Sequence, residues 1–237
     1  MVKRYTDICA DVESWGTRAG FDLRSIGAVV FDPLNNKVAG IREFYDFPKN
    51  HEELDPALYY YKAVNNPLMG SYSPDHFTQR ELDKIDGPHR RYNLRRDPKT
   101  VDWWGDQEED AKAAFKDPID LKEGLLGFTQ FIHSHSKDIQ NGQAKDVRVW
   151  GHGAAFDPPF LEAVFHAVDL PVPWFYRAPR DTRTAFDLSG IEDHSAHLAE
   201  YQYGIKHHAL HDTITEAFAI NEAIDRLRYS SRDWPVC

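Results

Sequence analysis

The segment 5–10, Tyr5-Thr6-Asp7-Ile8-Cys9-Ala10, runs straight into Asp11-Val12-Glu13. The short apolar run reads as a buried strand, and acid appears where the strand should end. Side chains two residues apart on a strand point to the same face, so the two carboxylates are aimed side by side. Carboxylates that close repel, and one must stay protonated unless a counter-charge arrives. A divalent cation supplies that charge and turns the pair into a ligand set. Two acids on a solvated loop are the competing reading, and the pair alone does not choose between them.

The rest of the chain alternates in a way that suggests a mixed sheet with helices packed on it. Segments 22–31 and 38–47 read as second and third strands of an antiparallel meander, joined by the turn Asp32-Pro33-Leu34-Asn35-Asn36-Lys37. From about 48 to 100 the pattern breaks into Pro, Gly and aromatics, which reads as an insertion carrying local helices. A helix is expected near 108–115. Leu121, Leu125, Phe128 and Ile132 recur at helical spacing and predict an amphipathic helix over 120–136. A fourth strand, 146–150, leads into Gly151-His152-Gly153-Ala154-Ala155-Phe156-Asp157, where glycines let the backbone turn sharply. A helix at 159–168, a fifth strand at 172–176 and a helix at 181–188 follow. A polar, His-rich connection then reaches the last helix, 209–228. The expected fold is one α/β domain over 1–237, a five-stranded mixed sheet flanked by helices.

Composition limits the partners. No run approaches the roughly 20 apolar residues of a membrane span, and the N-terminus lacks a signal-peptide core. Two cysteines, Cys9 and Cys237, make no disulfide framework, which fits a reducing cytoplasm. The net charge of −10 argues against nucleic acid if taken as a sum. Local patches matter more, and Arg90, Arg91, Arg95 and Arg96 give 89–97 a formal +3. That stretch is a candidate for gripping a single strand, with a solvated loop as the alternative.

The last helix opens His207-His208-Ala209-Leu210-His211-Asp212. Five helical steps turn a side chain about 500°, leaving it roughly 140° from its start. His207 and Asp212 therefore share a face only if His207 lies on the loop before the helix.

Asp11-x-Glu13 after the first strand, Asp157 after a later one, and His207-x-Ala209-x-x-Asp212 opening the last helix resemble the DEDDh exonucleases. Segments 25–33, 100–104, 149–157 and 180–184 resemble its bacterial and phage exoribonuclease branch, related to ribonuclease T and oligoribonuclease. The resemblance spans about 5–228 and is poor over 48–98. It implies a ribonuclease H-like fold. It further implies two Mg²⁺ or Mn²⁺ ions bound by Asp11, Glu13, Asp157 and Asp212, with His207 taking a proton from the attacking water. His208 is the less favoured base. His211 reads as a surface residue, His152 as a backbone-packing residue and Asp181 as a helix cap.

Ser14, Trp15, Gly16 and Thr17 fall where the family cradles the terminal nucleotide. Trp15 departs from the leucine common in the branch and would stack on a base if exposed; core packing is the alternative. Trp103 and Trp104 divide the same way between base stacking and packing. Arg180 and Arg183 are candidates for bidentate phosphate contacts or for surface salt bridges. The implied activity is a 3′-to-5′ exoribonuclease releasing nucleoside 5′-monophosphates from single-stranded RNA or 3′ overhangs, acting as a cytoplasmic homodimer. A 3′-5′ exodeoxyribonuclease and a non-catalytic nucleic-acid-binding module are the alternatives. A phosphatase with an aspartate nucleophile would want Asp-x-Asp, which Asp11-Val12-Glu13 does not supply.

Overall fold

In a computed structural model of the chain, residues 5–230 are described, except 71, 73, 74, 154 and 155. Cys237 and the Ala154-Ala155 part of the glycine-rich turn thus lie outside the described residues. The strands are β1 (Thr6–Ser14), β2 (Leu23–Asp32), β3 (Lys37–Val38), β4 (Tyr59–Asn65), β5 (Ile119–Asp120), β6 (Ile139–Gln140), β7 (Gln143–Ala144), β8 (Val147–Gly151) and β9 (Pro179–Asp181). The helices are α1 (Gln79–Lys84), α2 (Pro98–Gly105), α3 (Glu109–Ala113), α4 (Leu121–Ser134), α5 (Asp157–Ala167), α6 (Thr182–Leu188), α7 (His194–Glu200) and α8 (Ala209–Ser230).

Seven strands form one mixed sheet in the order β5-β4-β2-β1-β8-β9, with β3 beside β2; β6 and β7 make a separate hairpin. β1 is central, antiparallel to β2 and parallel to β8. Its alternation assigns two faces. Ile8, Ala10 and Val12 enter one core with Leu125, Phe128 and Ile132 of α4 and Phe160, Leu161 and Val164 of α5. Cys9 enters the other, with Leu210, Ile214 and Ala217 of α8 and Phe186 of α6. Asp11 and Glu13 follow Cys9 in the same phase and so emerge on the α8 side of the sheet.

The expected ribonuclease H-like mixed sheet is present, but it has seven strands where five were expected, and two strands lie elsewhere than expected. After β3 the chain reverses instead of extending through 38–47. Val38 and Ile41 exchange both backbone bonds at 2.8 Å, and the two residues between them, Ala39 (φ 47°) and Gly40 (φ 81°), are left-handed. That is a two-residue hairpin turn. The third long strand is instead β4, whose Tyr59-Tyr60-Tyr61 suits a pleated, half-buried surface. It falls inside the segment 48–100 expected as an insertion, so that segment supplies a full strand of the sheet. Segment 172–176 is no strand, because Pro171 and Pro173 cannot donate to a ladder. Trp174 makes only an isolated bridge to Ala144, and β9 takes the sheet edge. The connection expected before His207 contains α7.

Candidate active site

Parallel pairing of β1 and β8 brings their C-terminal ends to one edge of the sheet. The acids ending β1 and the turn leaving β8 must therefore meet there. Asp157 is the first residue of α5, 1% exposed, and its Oδ2 accepts the His152 N–H at 2.7 Å. Gly151 makes this possible, since a Cβ there would lie 2.8 Å from the Asp157 Cβ. Across the site, Gly27 of β2 lets α8 approach; a Cβ there would lie 2.2 Å from the Ala209 carbonyl carbon. That contact sets the first turn of α8, with Asp212, over the acids of β1. A cleft of about 580 Å³ is lined by Asp11, Glu13, Phe156, Trp103, His207 and Asp212. A second cavity of about 410 Å³ reaches Asp11 and Asp212 from behind, past Asp157 and Glu216.

His207 lies before the helix, as the helical geometry requires. Its backbone is left-handed (φ 63°), and its N–H donates to Asp212 Oδ2 at 2.9 Å. Ligand atoms of Glu13, His207 and Asp212 lie within 4.8 Å of one another. The electrostatics are those of crowded, buried acids. Burial, then Asp157 and Glu13, push Asp11 well above the usual carboxylate range. Glu13 is raised by burial and by Asp212, with Arg24 opposing. Burial lifts both Asp157 and Asp212 to about 7. His207 is lowered by burial and by Lys206, which favours a neutral imidazole able to accept a proton. Among the described residues, Asp157 Oδ1 is buried with no hydrogen-bond partner. A hard oxygen donor left unpaired amid charged neighbours fits a divalent cation.

A profile of the 3′-5′ exoribonuclease Rv2179c-like domain matches residues 6–224. The chain belongs to the Rv2179c-like exonuclease family. The domain that defines this family is described as a 3′-5′ exoribonuclease domain. Among solved structures, cell-death related nuclease 4 has a similar fold, with a TM-score of 0.56 at 13% identity over 94% of this chain and 64% of that one. Exonuclease I matches with a TM-score of 0.47 at 16% identity over 96% of this chain and 41% of that one. The chain thus spans less than two thirds of the length of either nuclease. No curated protein sequence matches it.

The site also holds a fifth acid that the sequence reading missed. Glu216 follows Asp212 by one helical turn on α8 and is 6% exposed. Its carboxylate accepts from the Cys9 thiol at 3.5 Å and lies 3.4 Å from His152 Nδ1. Burial, Asp157 and Asp212 push it well above the usual range. The signal was available as Asp212-x-x-x-Glu216, a spacing that shares a helix face. His152 accordingly touches the site through both its N–H and its ring, beyond the packing role expected.

The substrate candidates separate by exposure. Thr17 and Trp103 line the cleft, and Trp103 is 43% exposed with its ring 5.0 Å from that of His207. Ser14 and Gly16 also line it, with Ser14 Oγ donating to the Gly16 carbonyl at 2.5 Å. Trp15 is buried, its ring held between the Arg24 and Arg96 guanidiniums at 4.3 and 4.4 Å, so base stacking gives way to packing. Trp104 is also buried and donates from Nε1 to the Ser14 carbonyl at 2.9 Å, bracing the cleft wall. Arg183 lines the rear cavity. Arg180 is spent on the carbonyls of Arg177, Ala178 and Pro179. Asp181 caps α6 as expected.

The arginine stretch is no open strand-binding patch. Arg90 donates to the carbonyls of Ile85, Asn66 and Leu82, and Arg96 pairs with Asp22 at 2.9 Å and Asp83 at 3.2 Å. Both are 3% exposed. Arg91 pairs with Asp120, which leaves Arg95, 3.9 Å from Asp86, as the most exposed of the four. His211, expected at the surface, is 7% exposed.

Proposed function

We propose that the chain removes nucleoside 5′-monophosphates one at a time from the 3′ ends of single-stranded RNA or 3′ overhangs. Asp11, Glu13, Asp157 and Asp212 would hold two divalent ions, Mg²⁺ or Mn²⁺. The observation that carries this reading is the buried Oδ1 of Asp157, unpaired among the described residues, within a cluster of acids that burial and one another's charge push upward despite Arg24, Arg183 and Lys206 nearby. When bound, such a pair of ions stabilises the attacking and leaving oxygens of an in-line phosphodiester displacement. The chain supplies the rest. His207 accepts the proton of the attacking water, a contribution of about 10²–10⁴-fold for a positioned base. Its bond to Asp212 ties the base to a ligand, so both answer to the same first turn of α8. Trp103 offers an exposed indole for the terminal base, and Gly16 and Thr17 line the same cleft.

The family's description as exoribonucleases supports RNA over DNA. The deciding experiment is digestion of matched 5′-labelled RNA and DNA oligomers with Mn²⁺ present. The expected result is stepwise 3′ shortening of RNA, faster than of DNA, stopped by chelator. DNA shortened faster than RNA would transfer the assignment to an exodeoxyribonuclease, and binding without shortening would leave only a binding module.

A further inference from the structure

Three imidazoles meet on the far side of the loop that carries His207. His51 comes from the short 3₁₀ turn His51–Glu53, His208 precedes α8, and His211 lies in its first turn. Ligand nitrogens of the three lie within 4.8 Å of one another. The rings of His208 and His211 stack at 4.0 Å, and the His51 ring is 5.5 and 5.1 Å from them. A pocket of about 350 Å³ opens on the trio, with Lys49, Asn50 and Asp110 on its walls. His208 is 5% exposed, and among the described residues its Nδ1 has no hydrogen-bond partner.

We propose that His51, His208 and His211 form a second metal site, for a zinc-like transition cation, and that its occupation displaces the loop holding His207. Neutral imidazoles suit zinc, cobalt and nickel, whereas Mg²⁺ prefers oxygen. Packing alone would explain the stacked rings but not a buried ring nitrogen left orphaned. Zn–N bonds of about 2.0–2.1 Å put tetrahedral ligand nitrogens roughly 3.3 Å apart. His51 Nδ1 and His211 Nε2 now lie 2.9 Å apart as a hydrogen-bonded pair, so a metal requires them to open by a few tenths of an ångström and the stacked His208 and His211 rings to rotate until their in-plane lone pairs converge.

The coupling to the loop follows from the hydrogen bonds of His211. Its Nδ1 accepts the Ile205 N–H at 2.9 Å, so its proton resides on Nε2, toward His51. A metal on Nε2 moves that proton to Nδ1, where a metal-bound histidine normally donates. Nδ1–H then opposes Ile205 N–H, and the loop must withdraw. It has no slack: at Gly204 (φ 56°) a Cβ would lie 2.5 Å from His211 Nδ1. The displacement passes along Ile205 and Lys206 to His207. This inhibitory half rests on the exonuclease reading; the binding half does not.

The test is a Co²⁺ titration of the full chain in excess Mg²⁺, which keeps the carboxylates occupied. The visible bands of tetrahedral cobalt should appear at one equivalent, persist in Asp11→Asn and vanish in His51→Gln. No bands in the wild type, or bands retained in His51→Gln, would overturn the site. X-ray absorption of the zinc-loaded wild type provides a check free of mutation: three imidazoles are expected, and an all-oxygen shell rejects the site. One equivalent of Zn²⁺ should slow RNA shortening at least tenfold in the wild type and less than twofold in His51→Gln. Equal zinc sensitivity in both would reject the coupling.

Discussion

His207 and Trp103 share one wall of the cleft but do different work, and substitution should separate them. His207→Ala should lower kcat by about 10²–10⁴-fold, the usual contribution of a positioned base, while metal affinity changes far less. Trp103→Ala should instead raise KM for single strands by the equivalent of about 1–3 kcal/mol per stacked base; an unchanged KM would remove its stacking role. Glu216 acts from behind the metal ligands. Glu216→Gln should raise the Mn²⁺ needed for half-maximal activity by roughly 10–100-fold, as loss of an outer-shell partner does. Legibility at this scale followed chemistry. The four acids and His207 were singled out together only through the family resemblance, since Asp11-x-Glu13 alone reads equally as a solvated pair; the fold brings Glu13, His207 and Asp212 within 4.8 Å of one another. Trp15 and Trp103 have the same side chain, and only tertiary burial distinguishes the one clamped between two guanidiniums from the one facing solvent. Arg90 and Arg96 were opaque for the same reason, since a buried guanidinium and a solvated one have identical sequence signatures.

Three elements set the geometry: β1 and β8, parallel neighbours whose ends converge, and α8, which crosses the face of β2. The crossing depends on Gly27. Gly27→Ala should push α8 off the sheet at Ala209 and Leu210, with a destabilisation at or above the roughly 1–3 kcal/mol typical of overpacking. Asp212 and His207 would move with it. Thermal unfolding and activity measured together check this: a folded, fully active Gly27→Ala would show that the contact is not limiting. The periodic elements were the readable ones, α4 and α8 most clearly, because a long apolar stripe has one solution. The short hairpin turn after β3 was not, since Ala39 in a left-handed conformation breaks the residue preference that usually reveals such turns. β4 was hidden by its surroundings, a strand embedded in a segment rich in turn residues.

Across the whole molecule, crowded acids make the metal-free protein sensitive to pH. Asp157 and Asp212 titrate near 7 when folded, above their unfolded value of 3.8. A raised folded pKa means stability present below the unfolded value and lost as pH rises through the folded one. These groups should therefore destabilise the metal-free chain progressively from about pH 4 to 7. His208 and His211, depressed to about 3 and 4, act oppositely, giving stability above their unfolded 6.5 that is lost on acidification. The two trends overlap, so a bare pH–stability curve is a poor readout. The increment in Tm on adding Mn²⁺ separates them, because the ions need deprotonated carboxylates. It should be small at pH 5 and reach several degrees at pH 8 under saturating metal. An increment independent of pH would mean that the ions bind elsewhere. The central claim is that carboxylates distant in sequence act as one ligand set for hydrolysis at a 3′ end. Its most direct measurement is the rate of 3′-nucleotide release from 5′-labelled RNA in Mn²⁺, wild type against Asp157→Asn. The account predicts steady release by the wild type and at least about a 10³-fold loss in the variant, with its fold intact. Release at near wild-type rate from Asp157→Asn would contradict it.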